Sequence, residues 1–346
     1  MRKLAIAVTG LLVAGGVLGW ILLPDGMGIL DNLTSGATIV WYAPDFPPDE
    51  SLDYKQTPTR TLQVHVFRRD ADTKPGATVV LFHGGGFHSG WPDELFPLAS
   101  QLAAAGHTVF VPEYRLQRKD GVAYSDELED SRDAVAWVQA EATSLGGDPA
   151  KLVIGGSSAG AHLAAAVVTL PRDDGTPHPA AIGLLLSAPY LDSADASERF
   201  EARARERGMI EVLLLGEAHD VFEGRGRELS PRAHLHAGMP PTAVMAGEHD
   251  RLLAPGREFC AAMNALGVDC HAKAYPGAGH AFALFGYDNY EMYVRDVLAT
   301  LERWLRALAS GPRDAGWSPV SRRVRARLRT FPDSGSRAAG SRRAAG

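Results

Sequence analysis

The chain has 346 residues, 45% of them hydrophobic, enough to bury one full core of ordinary domain size. Its net charge of −6 averages unlike parts: in residues 311–346 nine arginines stand against Asp314 and Asp333, so that stretch carries +7 and the remainder −13. An acidic body argues against nucleic acid as the main ligand, because phosphate recognition needs lysine and arginine clustered on a folded face. Two cysteines, and no Cys/His spacing typical of zinc, argue against a disulfide scaffold and a resident metal.

In chain order, Arg2 and Lys3 precede an uncharged run of twenty residues, Leu4–Leu23, about the length a helix needs to cross a hydrocarbon core. Residues 1–24 are thus expected to be a membrane anchor, a cleaved signal being the alternative. Positive charge before the run keeps the N-terminus cytoplasmic, so the folded domain is expected to be extracytoplasmic if anchored, secreted or periplasmic if the leader is cut. Residues 25–53, rich in Pro, Asp and Gly, read as a stalk. Residues 311–346 hold few large apolar groups and are expected to be disordered. Export would permit a Cys260–Cys270 bridge; the other reading is two buried thiols.

Within residues 54–310 short apolar runs alternate with helical patterns, the signature of a mostly parallel sheet covered by helices on both faces, an α/β fold. Thr61–Phe67 alternates polar and apolar as a half-exposed strand does, while Ala77–Phe82, His107–Val111, Lys151–Ile154, Ile182–Ser187, Thr242–Ala246 and His271–Tyr275 read as central strands. The helices between them are Leu95–Ala105, Ser125–Ala142, Ala159–Val168, Gly256–Leu266 and Tyr290–Leu308. Residues 193–229 read as a small helical cap insertion over the C-terminal ends of the strands.

Gly156-Ser157-Ser158-Ala159-Gly160 is a G-x-S-x-G pentapeptide between a strand and a helix, where small neighbours allow the sharp turn that exposes a serine nucleophile. A glycine-rich turn with an incidental serine is the plain alternative. Another strand runs directly into His83-Gly84-Gly85-Gly86-Phe87, whose glycines leave backbone N–H groups unobstructed; Gly85 and Gly86, with the N–H of Ala159, are candidate oxyanion donors. His83 reads as a residue that holds this loop. A serine hydroxyl needs a base, and the base a carboxylate. Asp250 follows a strand in Gly247-Glu248-His249-Asp250, His280 follows the next, and the order Ser158, Asp250, His280 is that of one of three common serine-hydrolase arrangements. Glu248 and His249 are the near rivals of Asp250. Phe87, Trp91, Phe282 and Phe285 are expected to line an apolar acyl pocket, and His162 to be structural.

His83–Phe87, Gly156–Gly160, Gly247–Asp250 and Gly279–His280 resemble the α/β-hydrolase fold, in particular its hormone-sensitive-lipase-like and acetylxylan-esterase-like branch. Glu113-Tyr114-Arg115-Leu116, Gly147–Lys151, Ser230-Pro231 and Met239–Thr242 add to the resemblance, which spans roughly Tyr54 to Leu308. Gln117-Arg118-Lys119 and Ser157 depart from the lipase-like pattern. The resemblance implies hydrolysis of a small-molecule or glycan-linked carboxylic ester, with a short acyl or acetyl group, through an acyl-enzyme and without a cofactor. An arylformamidase-like amidase and a non-catalytic binding protein of the same fold are the alternatives. The leader argues against the first and the complete set of Ser158, Asp250 and His280 against the second.

Overall fold

A computed structural model describes residues 46–193, 221–222, 224–284 and 288–310, all within one compact unit. Leu4–Leu23, most of the stalk, most of the cap insertion and the Arg-rich tail lie outside the described residues. Among the described residues no helix is long and apolar enough to cross a membrane.

The strands are β1 (Glu50–Gln56), β2 (Thr61–Phe67), β3 (Thr78–Phe82), β4 (Thr108–Pro112), β5 (Leu152–Ser157), β6 (Gly183–Ser187), β7 (Thr242–Gly247) and β8 (Cys270–Tyr275), in the spatial order β1-β2-β4-β3-β5-β6-β7-β8. β1 and β2 pair antiparallel, as do β2 and β4; from β4 to β8 all pairing is parallel. β3, β4 and β6 are buried at every position because helices cover both faces, so they appear as unbroken apolar runs.

β1 moves the expected boundary: Glu50–Asp53, expected within the stalk, form the first half of an edge strand. Its sequence, ESLDYKQ, lies at the sheet edge and is nowhere fully buried, so no apolar run announces it. It is fastened instead by polar contacts: Lys55 bridges Asp130 (2.8 Å) and Asp133 (2.6 Å), and the Tyr54 hydroxyl donates to Glu113 O at 2.6 Å.

The helices that flank the sheet are α1 (Phe96–Ala104), α2 (Tyr124–Glu141), α3 (Ala159–Thr169), α4 (Leu253–Ala265) and α5 (Tyr290–Ala309). Strand side chains alternate between two cores. Val80, Phe82, Leu152 and Ile154 meet α2, α3 and α4, whereas Val79, Leu81 and Val153 meet α1 and α5 through residues such as Leu102, Val297 and Trp304. Every residue of α3 is buried, so the helix behind Ser158 is a fixed support.

Parallel strands end at a common edge, and two register pairs decide what meets there. Phe82 of β3 faces Gly156 of β5, which brings the loop His83–Gly86 beside Ser158. Gly247 of β7 faces Tyr275 of β8, which brings the loops of Asp250 and His280 together.

Candidate active site

β5 continues to Ser157, further than its apolar run suggests, because Gly155 and Gly156 pair with both β3 and β6. The chain then turns into α3 through Ser158 at φ 51° and ψ −113°, a strained conformation for a residue with a side chain. Its N–H is held by Ser187 O at 2.8 Å. Gly160 makes the turn feasible: a Cβ there would stand 2.1 Å from Phe82 O and 2.3 Å from His83 O. Among the described residues, the non-glycine positions with positive φ are Phe87, Ser158 and Ala188, all just past the ends of β3, β5 and β6.

The three expected triad residues converge although 122 positions separate Ser158 from His280. His280 Nε2 lies 3.0 Å from Ser158 Oγ, and His280 Nδ1 lies 2.9 Å from Asp250 Oδ2. A carboxylate only accepts, so Nδ1 carries the ring proton and Nε2 offers its lone pair to the serine hydroxyl. Asp250 is fixed from its other oxygen, Oδ1, which accepts the Leu252 N–H at 2.9 Å; its side chain is 1% exposed, whereas His280 is 27% exposed. Glu248 and His249, the near rivals, are solvent-exposed, and Glu248 accepts the Gly277 N–H, clamping the loop that leads to His280.

The glycine loop is held peptide by peptide. His83 Nδ1–H donates to Gly84 O at 2.8 Å, which orients the peptide carrying the Gly85 N–H. Gly85 O accepts from Ser89 N (3.1 Å), His88 N (3.3 Å) and Ser89 Oγ (3.0 Å), which orients the Gly86 N–H. Gly85 adopts φ 119° and packs so tightly that a Cβ would stand 1.9 Å from Ser89 O. Among the described residues no protein acceptor takes the N–H of Gly85, Gly86 or Ala159. His83 stacks on Tyr114 with centroids 4.3 Å apart, Tyr114 Oη donates to His83 O at 2.8 Å, and burial pulls the imidazole down to about 4, keeping it neutral.

The expected acyl-pocket aromatics separate. Phe282, 2% exposed, stacks on Tyr275 and meets Tyr293 edge-on, so it belongs to the core under α5; an apolar residue two positions after His280 is drawn to that core. Phe87, 5% exposed, packs against Tyr124, His162 and Phe222. Trp91 alone of the three is exposed (45%), with Lys119 Nζ 5.4 Å over its ring. Phe285 lies outside the described residues. His162 is structural in its contacts: Nδ1–H donates to Tyr190 O at 2.6 Å, Nε2 accepts from Tyr124 Oη at 2.7 Å, and burial lowers it to about 4.

Glu94 escaped sequence reading. It sits in the short turn Pro92–Leu95 before α1, and its Oε1 accepts the Gly84 N–H at 2.5 Å. Burial pushes this carboxyl up to about 7. A single acid ten residues past a glycine carries no spacing signal, so only the folded loop reveals it.

Residues 79–284, more than half of the chain, match the family described by its alpha/beta hydrolase fold, and the chain belongs to that family. Among curated proteins it is similar to carboxylesterase NlhH of Mycobacterium tuberculosis, 29% identical over 244 residues that cover 66% of this chain and 72% of that protein. Among solved structures it is similar to the thermophilic esterase Est2 of Thermogutta terrifontis. The butyrate-bound form is 28% identical with a TM-score of 0.63, covering 76% of this chain and 96% of that one. The form phosphorylated by paraoxon gives the same identity and TM-score, covering 76% and 97%.

Proposed function

We propose that this carboxylic ester hydrolase cleaves short acyl esters through an acyl-enzyme on Ser158, with His280 as base, Asp250 as its orienting carboxylate, and Gly85, Gly86 and Ala159 as oxyanion donors. The observation that carries the reading is the unbroken line from Asp250 through His280 to Ser158 Oγ, with contacts of 2.9 and 3.0 Å. His280 Nε2 takes the hydroxyl proton as Ser158 Oγ bonds to the ester carbonyl carbon, and the carbonyl oxygen becomes an oxyanion facing the three backbone N–H groups. The imidazolium then protonates the departing alkoxide, leaving acyl-Ser158 and a free alcohol. Water then adds to the acyl carbon as His280 takes its proton, and the imidazolium returns that proton to Ser158 Oγ as the acid departs.

The short acyl preference is supported by the aromatic packing beside the elbow. Phe87 follows the glycine loop, His162 lies one turn past Ser158, and both pack against Phe222. The butyrate-bound form of the similar esterase points the same way. Rates with p-nitrophenyl acetate, butyrate and octanoate test this: turnover is expected to fall by octanoate, and equal or rising turnover would overturn the acyl assignment.

The domain is read as extracytoplasmic, anchored or released through Leu4–Leu23. Its support is the basic-then-apolar leader together with a Cys260–Cys270 disulfide joining α4 to β8, with Cα atoms 4.9 Å apart, since such bonds persist in oxidising compartments.

A further inference from the structure

Two peptides lead into the oxyanion loop, one anchored at its carbonyl and the other at both polar ends. The Gly84–Gly85 peptide is held through Gly84 O by His83. The His83–Gly84 peptide is held through His83 O by the Tyr114 hydroxyl and through Gly84 N–H by Glu94. Glu94 is also close to the chemistry: a Cβ built on Gly84 would stand 3.2 Å from Glu94 Oε1 and 3.4 Å from Ser158 Cβ, so carboxyl and nucleophile flank the same backbone atom. The groups that face it are Asp93 on its own turn, His280 from the loop after β8, Tyr114 from the end of β4, and Ser158 from the elbow.

We propose that Glu94 is a positioning residue for ester hydrolysis, its carboxyl gripping the Gly84 N–H so that the oxyanion loop is set against Ser158, with a grip that strengthens on ionisation. The inference rests on the function proposed above. An ionised acceptor binds an N–H roughly twice as strongly as a neutral one. The carboxylate also faces His280, which becomes cationic as the tetrahedral intermediate forms, and attraction between the two favours that step. Burial outweighs the Gly84 hydrogen bond and the His280 attraction and lifts the Glu94 carboxyl to about 7.

The test compares the native chain, Glu94→Gln, Glu94→Ala and Ser158→Ala on p-nitrophenyl butyrate from pH 5 to 9, with kcat and KM separated. For Glu94→Ala, kcat is expected to fall about tenfold with KM little changed, a fraction of the 10²–10³ that loss of a whole oxyanion donor costs. Glu94→Gln retains an oxygen for the Gly84 N–H and is expected to recover part of that loss. On the acid side, the rise of log kcat/KM with pH is expected to be less steep in Glu94→Gln than in the native chain, because the variant lacks the Glu94 ionisation. Native kinetics in both variants, or a glutamine variant that keeps the native slope, would overturn the proposal while Ser158→Ala remains inactive. If Ser158→Ala retains the native rate, the site assignment itself fails and this inference with it. Should Glu94→Ala not fold, Glu94→Gln carries the test through its slope.

Discussion

The imidazole of His83 donates to the Gly84 carbonyl at 2.8 Å, and the peptide that carries this carbonyl also carries the N–H of Gly85. Because a peptide is planar, fixing the carbonyl fixes the direction of the amide hydrogen on its other side. In the proposed mechanism His83 thereby sets the direction of the Gly85 N–H, one of the proposed oxyanion donors. His83→Ala should lower kcat by roughly 10- to 100-fold, short of the 10²–10³ lost with a whole donor, with little change in KM. Steady-state kinetics on p-nitrophenyl butyrate read this directly, and an unchanged kcat would detach His83 from the donor geometry.

Asp250 holds the proton of His280 on Nδ1 and is itself held by the Leu252 N–H. Asparagine at this position preserves shape but offers an amide N–H that favours the wrong tautomer, leaving Nε2 protonated and unable to accept from Ser158. The expected loss in kcat for Asp250→Asn is about 10⁴-fold. A loss under tenfold would assign the orienting role elsewhere.

The Cys260–Cys270 disulfide closes a loop from α4 into β8, ten residues apart in sequence. Asn264 reinforces the same loop, its side chain bonding both N and O of Cys270 at 3.0 Å. Cross-linking a loop of this length contributes about 2 to 3 kcal/mol through the unfolded state. Thermal unfolding with and without dithiothreitol should differ by several degrees, and identical melting curves would mean that the bond contributes nothing to stability.

His162 is fully buried, and desolvation places its folded value at about 4, below the ordinary 6.5. Between those values the unfolded chain binds a proton that the folded chain refuses, so stability rises with pH across the window and is lost as pH falls from 6.5 toward 4. The shift corresponds to at most about 3 kcal/mol. His83 and His107, lowered in the same way, add to the acid sensitivity, whereas the raised carboxyl of Glu94 acts in the opposite direction. Denaturant titrations at pH 7 and 4.5 isolate His162: the native chain should lose more stability than His162→Gln. Equal losses would show that protonating His162 is not coupled to unfolding.

The parts of the fold legible in sequence were those whose side chains are all driven to one environment. β3, β4 and β6 are buried throughout, so their ranges differ from the expected ones by a residue at most. β1 was not legible because an edge strand fastened by Lys55 and Tyr54 has no apolar pattern, and strand order depends on crossovers that composition does not record. The convergence of Ser158, Asp250 and His280 was legible because each sits just past a readable strand, in a fixed order along the chain. Phe282 packs on Tyr275 and Tyr293 under α5, a placement that loop position alone does not separate from a ring facing a cleft. Glu94 matters through one backbone N–H, a contact with no signature until the loop is folded.

The central claim is that Ser158 Oγ is the nucleophile, and covalent trapping tests it most directly. The chain, incubated with paraoxon and digested, would be mapped by peptide mass spectrometry alongside Ser158→Ala and His280→Ala. A single diethylphosphoryl adduct on Ser158 is expected, absent from Ser158→Ala, slowed by several decades in His280→Ala, and formed in step with the loss of ester hydrolysis. An adduct on another residue, or full inhibition with Ser158 unmodified, would contradict the claim.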